Sequence, residues 1–197
     1  MKKYLTNYFK KKKPFTIITD ILFIVLIVLL IIPSTRKDVS AFFIRLTSFP
    51  PAALSSNEQY TVNNDAKQWV LYDLSGNKTA FAGMLDKPVV LNLWATWCPP
   101  CIAELPGLLE LRNDYGTKAR FVFVSNENPA TVKKFLKKHG YGKRGFYLSA
   151  RVPADFATNS IPTTYIISPG GKVVLKKRGA ARWNSGKVKR LIDNITN

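Results

Sequence analysis

One stretch constrains the fold more than any other: Val89-Val90-Leu91-Asn92-Leu93, then Trp94-Ala95-Thr96-Trp97-Cys98-Pro99-Pro100-Cys101. The first five residues are mostly apolar with little alternation, the pattern of a strand covered on both faces. The pentapeptide from Trp97 to Cys101 then places the only two cysteines of the 197-residue chain three positions apart. At that spacing, at the start of a helix, two thiols close into a disulfide or open to a dithiol without moving the fold. A helix N-terminus favours negative charge and stabilises the thiolate of Cys98. Cys101, one turn further in, is expected to be more buried and to act as the resolving thiol. A zinc site needs about four ligands; the chain offers two cysteines and one distant histidine, His139, so no metal site is expected.

The N-terminus carries a second signal. Lys2, Lys3 and Lys10 to Lys13 precede a nearly unbroken apolar run from Phe15 to Ile32, interrupted by Thr16, Thr19 and Asp20. Eighteen or so residues at 1.5 Å rise cover roughly 27 Å, close to the hydrocarbon thickness of a bilayer. The lysines predict that this end stays in the cytoplasm. A cleaved signal peptide would need small residues just after the apolar run, where the chain reads Pro33-Ser34-Thr35-Arg36-Lys37-Asp38. The expected organisation is a basic cytoplasmic segment over 1–13, a transmembrane signal anchor over 14–33, an extracytoplasmic linker over 34–60 and a globular domain over 61–197. Within the linker, 41–46 is apolar enough to lie at an interface; a plain tether is the alternative. The formal charge of +18 fits nucleic acid or an anionic membrane. With no nucleic-acid motif in view, a solvated basic surface aided by anionic lipid is expected, with the lipid bilayer as partner and no nucleic acid.

The globular part reads as alternating strands and helices. Trp69 to Leu74 is a strand, closed by a turn at Ser75-Gly76-Asn77-Lys78. The helix after Cys98 sets Ile102, Leu105 and Leu109 on one face, is kinked at Pro106, and is expected to end at Gly116 as a left-handed cap. Arg120 to Ser125 is a strand. Asn128-Pro129 opens a helix with Val132, Phe135 and Leu136 inward and four lysines outward. His139 ends it, as a cation near a helix C-terminus. Phe146 to Leu148 is a strand, Thr163 to Ile167 and Lys172 to Leu175 form a hairpin, and Val188, Leu191, Ile192 and Ile195 line a last helix.

This order, together with Trp97-Cys98-Pro99-Pro100-Cys101, Pro106, Ile161-Pro162-Thr163-Thr164 and Gly179-Ala180, resembles the thioredoxin fold over roughly residues 69 to 195. The run Asn92 to Cys101 with Glu104-Leu105-Pro106 is similar to the TlpA/ResA branch. The resemblance implies a central mixed sheet flanked by helices in an α/β domain. It further implies a membrane-tethered, extracytoplasmic thiol–disulfide oxidoreductase with no cofactor beyond the Cys98–Cys101 disulfide. It sets Pro162 in a cis bond with Ile161, facing the cysteines, where the Ile161 backbone pairs with a substrate chain; Trp97 belongs to the same substrate surface. Pro99, Pro100, Asn92 and Gly179 are implied as structural residues near the site. Departures are Asn92, where thioredoxins proper carry a buried acid, Ser160, where this branch usually has Gly, and Ser168, where it often has Asp.

With Asn92 unable to ionise, Glu104 is the nearest candidate in sequence to manage the Cys101 proton, since it projects from the same helix face one turn on. The catalytic set is therefore Cys98, Cys101 and Glu104. Implied partners are disulfide-containing envelope proteins and a membrane electron donor. Neither Pro99 nor Pro100 has an N–H to stabilise the thiolate, and no Arg or His lies between the cysteines, so the reducing direction is expected. The alternatives are a disulfide-donating oxidase, a copper-handling protein with the thiols as ligands, and a tethered binding module with an idle Cys-x-x-Cys.

Overall fold

The computed structural model describes residues 13–31, 40–41 and 43–196, with the side chains at 29–31 outside that set. The lysines at 2–12 and the stretch 32–39 lie outside the described residues. Helix α1 (Pro14–Ile31) occupies the apolar run. Phe15, Ile18, Leu22 and Phe23 on it are exposed. Among the described residues no helix is long and apolar enough to cross a membrane.

An eight-stranded mixed sheet carries the rest of the chain. Its strands are β1 (Tyr60–Thr61), β2 (Val70–Asp73), β3 (Lys78–Ala80), β4 (Val89–Leu93), β5 (Arg120–Ser125), β6 (Phe146–Leu148), β7 (Thr163–Ile167) and β8 (Lys172–Arg178). The order across the sheet is β1-β8-β7-β4-β5-β6-β2-β3. Strands β4, β5 and β6 run parallel, and antiparallel pairs extend the sheet on both sides. Four helices complete the domain: α2 (Asn64–Lys67), α3 (Pro99–Tyr115), α4 (Pro129–Lys138) and α5 (Gly186–Thr196).

Every residue of β4 is buried, because layers cover the sheet on both sides. Val90, Phe121, Phe123 and Ile166 share one core with α3, α4 and α5; Val89, Leu91, Leu93, Val122 and Tyr165 share the other with Trp69, Phe81 and Phe156. Alternate strand residues point to opposite faces, and the two cores divide the strands accordingly. Asn92 falls between Val90 and Trp94 on the helix-bearing face.

Helix ends follow local chemistry. Asn128 caps α4 through its side-chain oxygen, which accepts the Ala130 N–H at 2.8 Å, and Pro129 follows as the first helical residue. Helix α3 continues through Pro106 to Tyr115. Gly116 corrects an expectation: its φ of −65° and ψ of −13° are right-handed, not left-handed. Glycine is needed there for close approach, since a Cβ would meet the Arg112 carbonyl oxygen at 2.6 Å.

The stretch read as a linker also differs from expectation. Helical turns at 43–47 and the residues after them lie on the domain. Ala41 is buried in the core under α3, and Ile44 packs against it. Arg45 Nε donates to the Ala103 carbonyl at 3.2 Å. The Arg182 N–H bonds the Phe49 carbonyl at 3.0 Å, and the Leu54 N–H bonds that of Val174 at 2.8 Å. A tether with no packing role would leave these donors and carbonyls to water; here they bond the domain.

Phe156 tests the second core. It is fully buried, with ring centroids 5.4 Å from Phe81 and 5.2 Å from Tyr165. Phe156→Ala is expected to cost about 3–5 kcal/mol by urea denaturation of the oxidised protein.

Candidate active site

Strand β4 ends at Leu93 and α3 begins at Pro99, so the intervening turn delivers the cysteines to the helix N-terminus. Cys98 is the N-cap, in extended conformation, and its sulfur accepts the Cys101 N–H at 3.3 Å. Pro99 and Pro100 fill the first helical positions, where a missing N–H leaves no intrahelical bond unmade. The two cysteines form a disulfide with Cα atoms 5.2 Å apart. Cys98 is 3% exposed and Cys101 1%; beside them Trp97 is 57% exposed. The Ile161–Pro162 bond is cis, and the Ile161 carbonyl oxygen lies 3.7 Å from Cys98 Sγ. Gly179, at φ of 74°, donates its N–H to the Pro162 carbonyl at 2.8 Å and holds that loop against β8.

Glu104 is buried. Its Oε1 accepts from Asn92 Nδ2 at 2.8 Å, and its Oε2 accepts from the Ala181 N–H at 3.1 Å and from Trp183 Nε1 at 2.7 Å. Asn92 Nδ2 also donates to Thr164 Oγ1 at 2.7 Å, across the β4–β7 register that sets the two residues opposite each other. Burial raises the Glu104 carboxyl to about 7, against the opposing pull of Trp183, Ala181, Asn92 and Thr164. A carboxyl group with that value near neutral pH both takes and releases a proton. A cavity of about 230 Å³, bounded by Arg45, Ala103, Glu104, Gly107, Ala181 and Trp183, opens beside it.

A second carboxylate holds the turn before the cysteines. Glu127 Oε2 accepts the Thr96 N–H, and Oε1 accepts the Thr96 hydroxyl, both at 2.7 Å. Ser125 Oγ, at the end of β5, donates to Oε2 at 3.1 Å.

Comparison with known proteins agrees with this arrangement. Residues 62–176 match the AhpC/TSA family. The chain belongs to that family. It is similar to the thiol-disulfide oxidoreductase ResA of a Bacillus cereus strain, at 29% identity over 125 residues covering 62% of this chain and 72% of that protein. It is equally similar to ResA of Bacillus subtilis (strain 168), at 29% identity over 126 residues, 62% of this chain and 70% of that one. Among solved structures, a secreted Mycobacterium tuberculosis disulfide oxidoreductase homologous to E. coli DsbE superposes with a TM-score of 0.55 at 22% identity, covering 66% of this chain and 98% of that one. At that identity the superposition speaks for the fold alone. This AhpC/TSA member is thus a TlpA/ResA-like protein of the thioredoxin superfamily, and a protein-disulfide oxidoreductase.

The structure brings Cys98, Cys101, Ile161 and Pro162 together, and sets Asn92 and Glu104 in hydrogen-bond contact one helical turn behind them. His139 stacks between Phe135 and Tyr141, at ring-centroid distances of 4.4 Å and 5.6 Å. Sequence reasoning missed Trp183, Thr164 and Glu127. Thr164 stood inside a quoted motif. Nothing local marks Trp183, which lies 79 positions from the carboxylate it serves.

Glu104 predicts a pH dependence. The folded protein binds this proton more tightly than the unfolded chain does, so its stabilising contribution is complete below the ordinary carboxyl value and is lost as pH rises through about 7. Urea titrations of the oxidised protein should lose on the order of 3 kcal/mol between about pH 4.5 and pH 8, at 1.36 kcal/mol per unit. Glu104→Gln should remove that slope, while starting lower at acid pH because an amide offers one acceptor oxygen where three N–H donors converge. For the turn, Glu127→Ala should cost about 1–3 kcal/mol by the same measurement, and Glu127→Gln less, because it keeps one acceptor for Thr96.

Proposed function

We propose that this chain is a membrane-tethered, extracytoplasmic thiol–disulfide oxidoreductase that works as a reductant of disulfides in envelope proteins. The observation that carries the chemistry is the Cys98–Cys101 pair capping α3 beside the Ile161 carbonyl, with a buried carboxyl one turn deeper. In the reduced protein the Cys98 thiolate attacks a partner disulfide. One new sulfur–sulfur bond forms, and one partner sulfur leaves as a thiolate. Cys101 gives its proton to Glu104, whose Oε1 accepts one N–H and keeps a lone pair free. The Cys101 thiolate then attacks Cys98 Sγ, which releases the second partner sulfur. Two electrons have passed to the partner, and the protein is left as the disulfide. A membrane electron donor restores the dithiol.

Three features support the reducing direction. Pro99 and Pro100 offer the Cys98 thiolate no N–H. The donor set on its sulfur is the Cys101 N–H at 3.3 Å. Glu104, once ionised, adds a negative charge one turn from Cys101 and disfavours a second one there. A thiolate stabilised this little leaves the disulfide comparatively hard to reduce.

The tether is supported by the sequence: the lysines at 2–13, the apolar run to Ile32 and the charged residues after it. The same lysines support a cytoplasmic N-terminus and a domain facing the periplasm or the outside of the cell.

Equilibrating the protein with glutathione tests the direction. The expected potential is nearer the roughly −270 mV of thioredoxin than the roughly −120 mV of a strong oxidase. A value above about −170 mV on that scale identifies an oxidase instead.

A further inference from the structure

Residues 43–50 carry two opposed faces. Toward the domain, Ile44 packs on the core under α3, Arg45 Nε bonds the Ala103 carbonyl, and the Phe49 carbonyl is bonded by the Arg182 N–H. Away from it, Leu46 is 70% and Phe49 79% exposed, with Phe43 half-exposed in the same row. Positions 43 and 46 are one helical turn apart, and Phe49 follows where the helical turns give out, so the three extend one apolar edge. An apolar edge held in place by a packed side chain and two hydrogen bonds is not a collapsed tail, and the folded domain leaves it uncovered.

We propose that this strap lies in the anionic lipid interface and seats the disulfide face of the domain against the bilayer, so that the substrates reached are disulfides of membrane-embedded or lipid-anchored proteins. The proposal rests on the tethered reading above. Three observations name lipid as the occupant. The chain between Ile31 and residue 43 is eleven residues long, at most roughly 40 Å fully extended, so a strap following a membrane-inserted α1 stays near the surface. Cations flank the apolar edge: Lys177 lines a groove with Phe49, and exposed Arg182 follows from its bond to the Phe49 carbonyl. Apolar residues bordered by Lys and Arg are the composition of a surface-lying segment on anionic lipid. The third observation sets the consequence: Pro100, between the two cysteines, lines that groove with Ile44, Phe49, Pro50 and Ala180. A bilayer touching the strap therefore lies beside the helix start that carries the disulfide.

The test uses the full chain reconstituted in vesicles of phosphatidylcholine with a minority of phosphatidylglycerol. In a Cys98→Ser/Cys101→Ser background, Leu46→Cys and, separately, Ser75→Cys carry a nitrobenzoxadiazole label; Ser75 lies in the β2–β3 turn at the far edge of the sheet. The label at 46 should shift to the blue and be quenched by lipids bearing a nitroxide near the headgroup, and the label at 75 should not. A label at 46 that stays water-like, or whose shielding tracks protein-to-lipid ratio and so reports a second copy, overturns the proposal. Release of the chain by carbonate wash overturns the tether separately, and quenching at 46 then still decides the strap. With the native cysteines, Leu46→Glu/Phe49→Glu should reduce insulin at the parent rate. It should reduce a disulfide peptide anchored to the same vesicles about tenfold more slowly, through lost effective concentration. Equal rates on both substrates contradict the proposal.

Discussion

The carboxylate of Glu104 joins three parts of the chain that the sequence keeps far apart. Asn92 reaches it from β4, Trp183 and Ala181 reach it from the segment after β8, and Glu104 itself stands on the helix that starts at the cysteines. Removing a charge from water is costly, and convergent N–H donors offset part of that cost. Neither side wins outright here. Desolvation leads, and the carboxyl settles at about 7, where small changes in its surroundings move the proton. Because its donors also hold the sheet, the helix and the closing segment together, a change that frees the proton also loosens the packing behind the disulfide. Stability and proton transfer are coupled through one side chain.

In front of that group the site is assembled mainly from backbone. Cys98 caps the helix and Pro99 and Pro100 withhold their N–H groups. Ile161 presents a carbonyl and Gly179 fixes the loop that bears it. Glu127 supplies the side-chain counterpart by holding Thr96 at both its amide and its hydroxyl. Polar positioning of this kind leaves the exposed Trp97 ring beside a nearly buried disulfide, so a partner chain meets an apolar platform before it meets sulfur.

Much of this was legible in the sequence because it depends on neighbours. The unbroken run Val89–Leu93 announces a strand buried on both faces, Asn128-Pro129 announces a helix start, and the spacing of the cysteines announces their chemistry. What was not legible depends on distance. Glu104 on a helix looks like a solvated charge until Trp183 and Asn92 are brought to it, and Thr96 looks like a turn residue until Glu127 closes over it. Gly116 shows the limit of a local rule. Glycine at a helix end suits a left-handed cap, but here it is the approach of the Arg112 carbonyl, not the sign of φ, that excludes a side chain. The stretch around 43–50 read as linker because its anchors, Ala103, Val174 and Arg182, lie far along the chain.

Those same anchors connect the strap to the buried carboxyl. Arg182 bonds Phe49 from between Ala181 and Trp183, the two residues that donate to Glu104 Oε2. Arg45 bonds the carbonyl of Ala103, the residue just before Glu104, and borders the cavity that opens beside the carboxylate. The strap therefore touches Glu104's neighbours on both sides, one through α3 and one through the closing segment. A displacement of residues 45–49 away from the domain would pull on the donors of Oε2 and widen the cavity together. Losing those N–H groups favours the protonated form of a buried carboxyl, whereas admitting water favours the ionised form. The two consequences oppose each other, so the proton affinity of Glu104 is held by a balance that the docked position of the strap maintains.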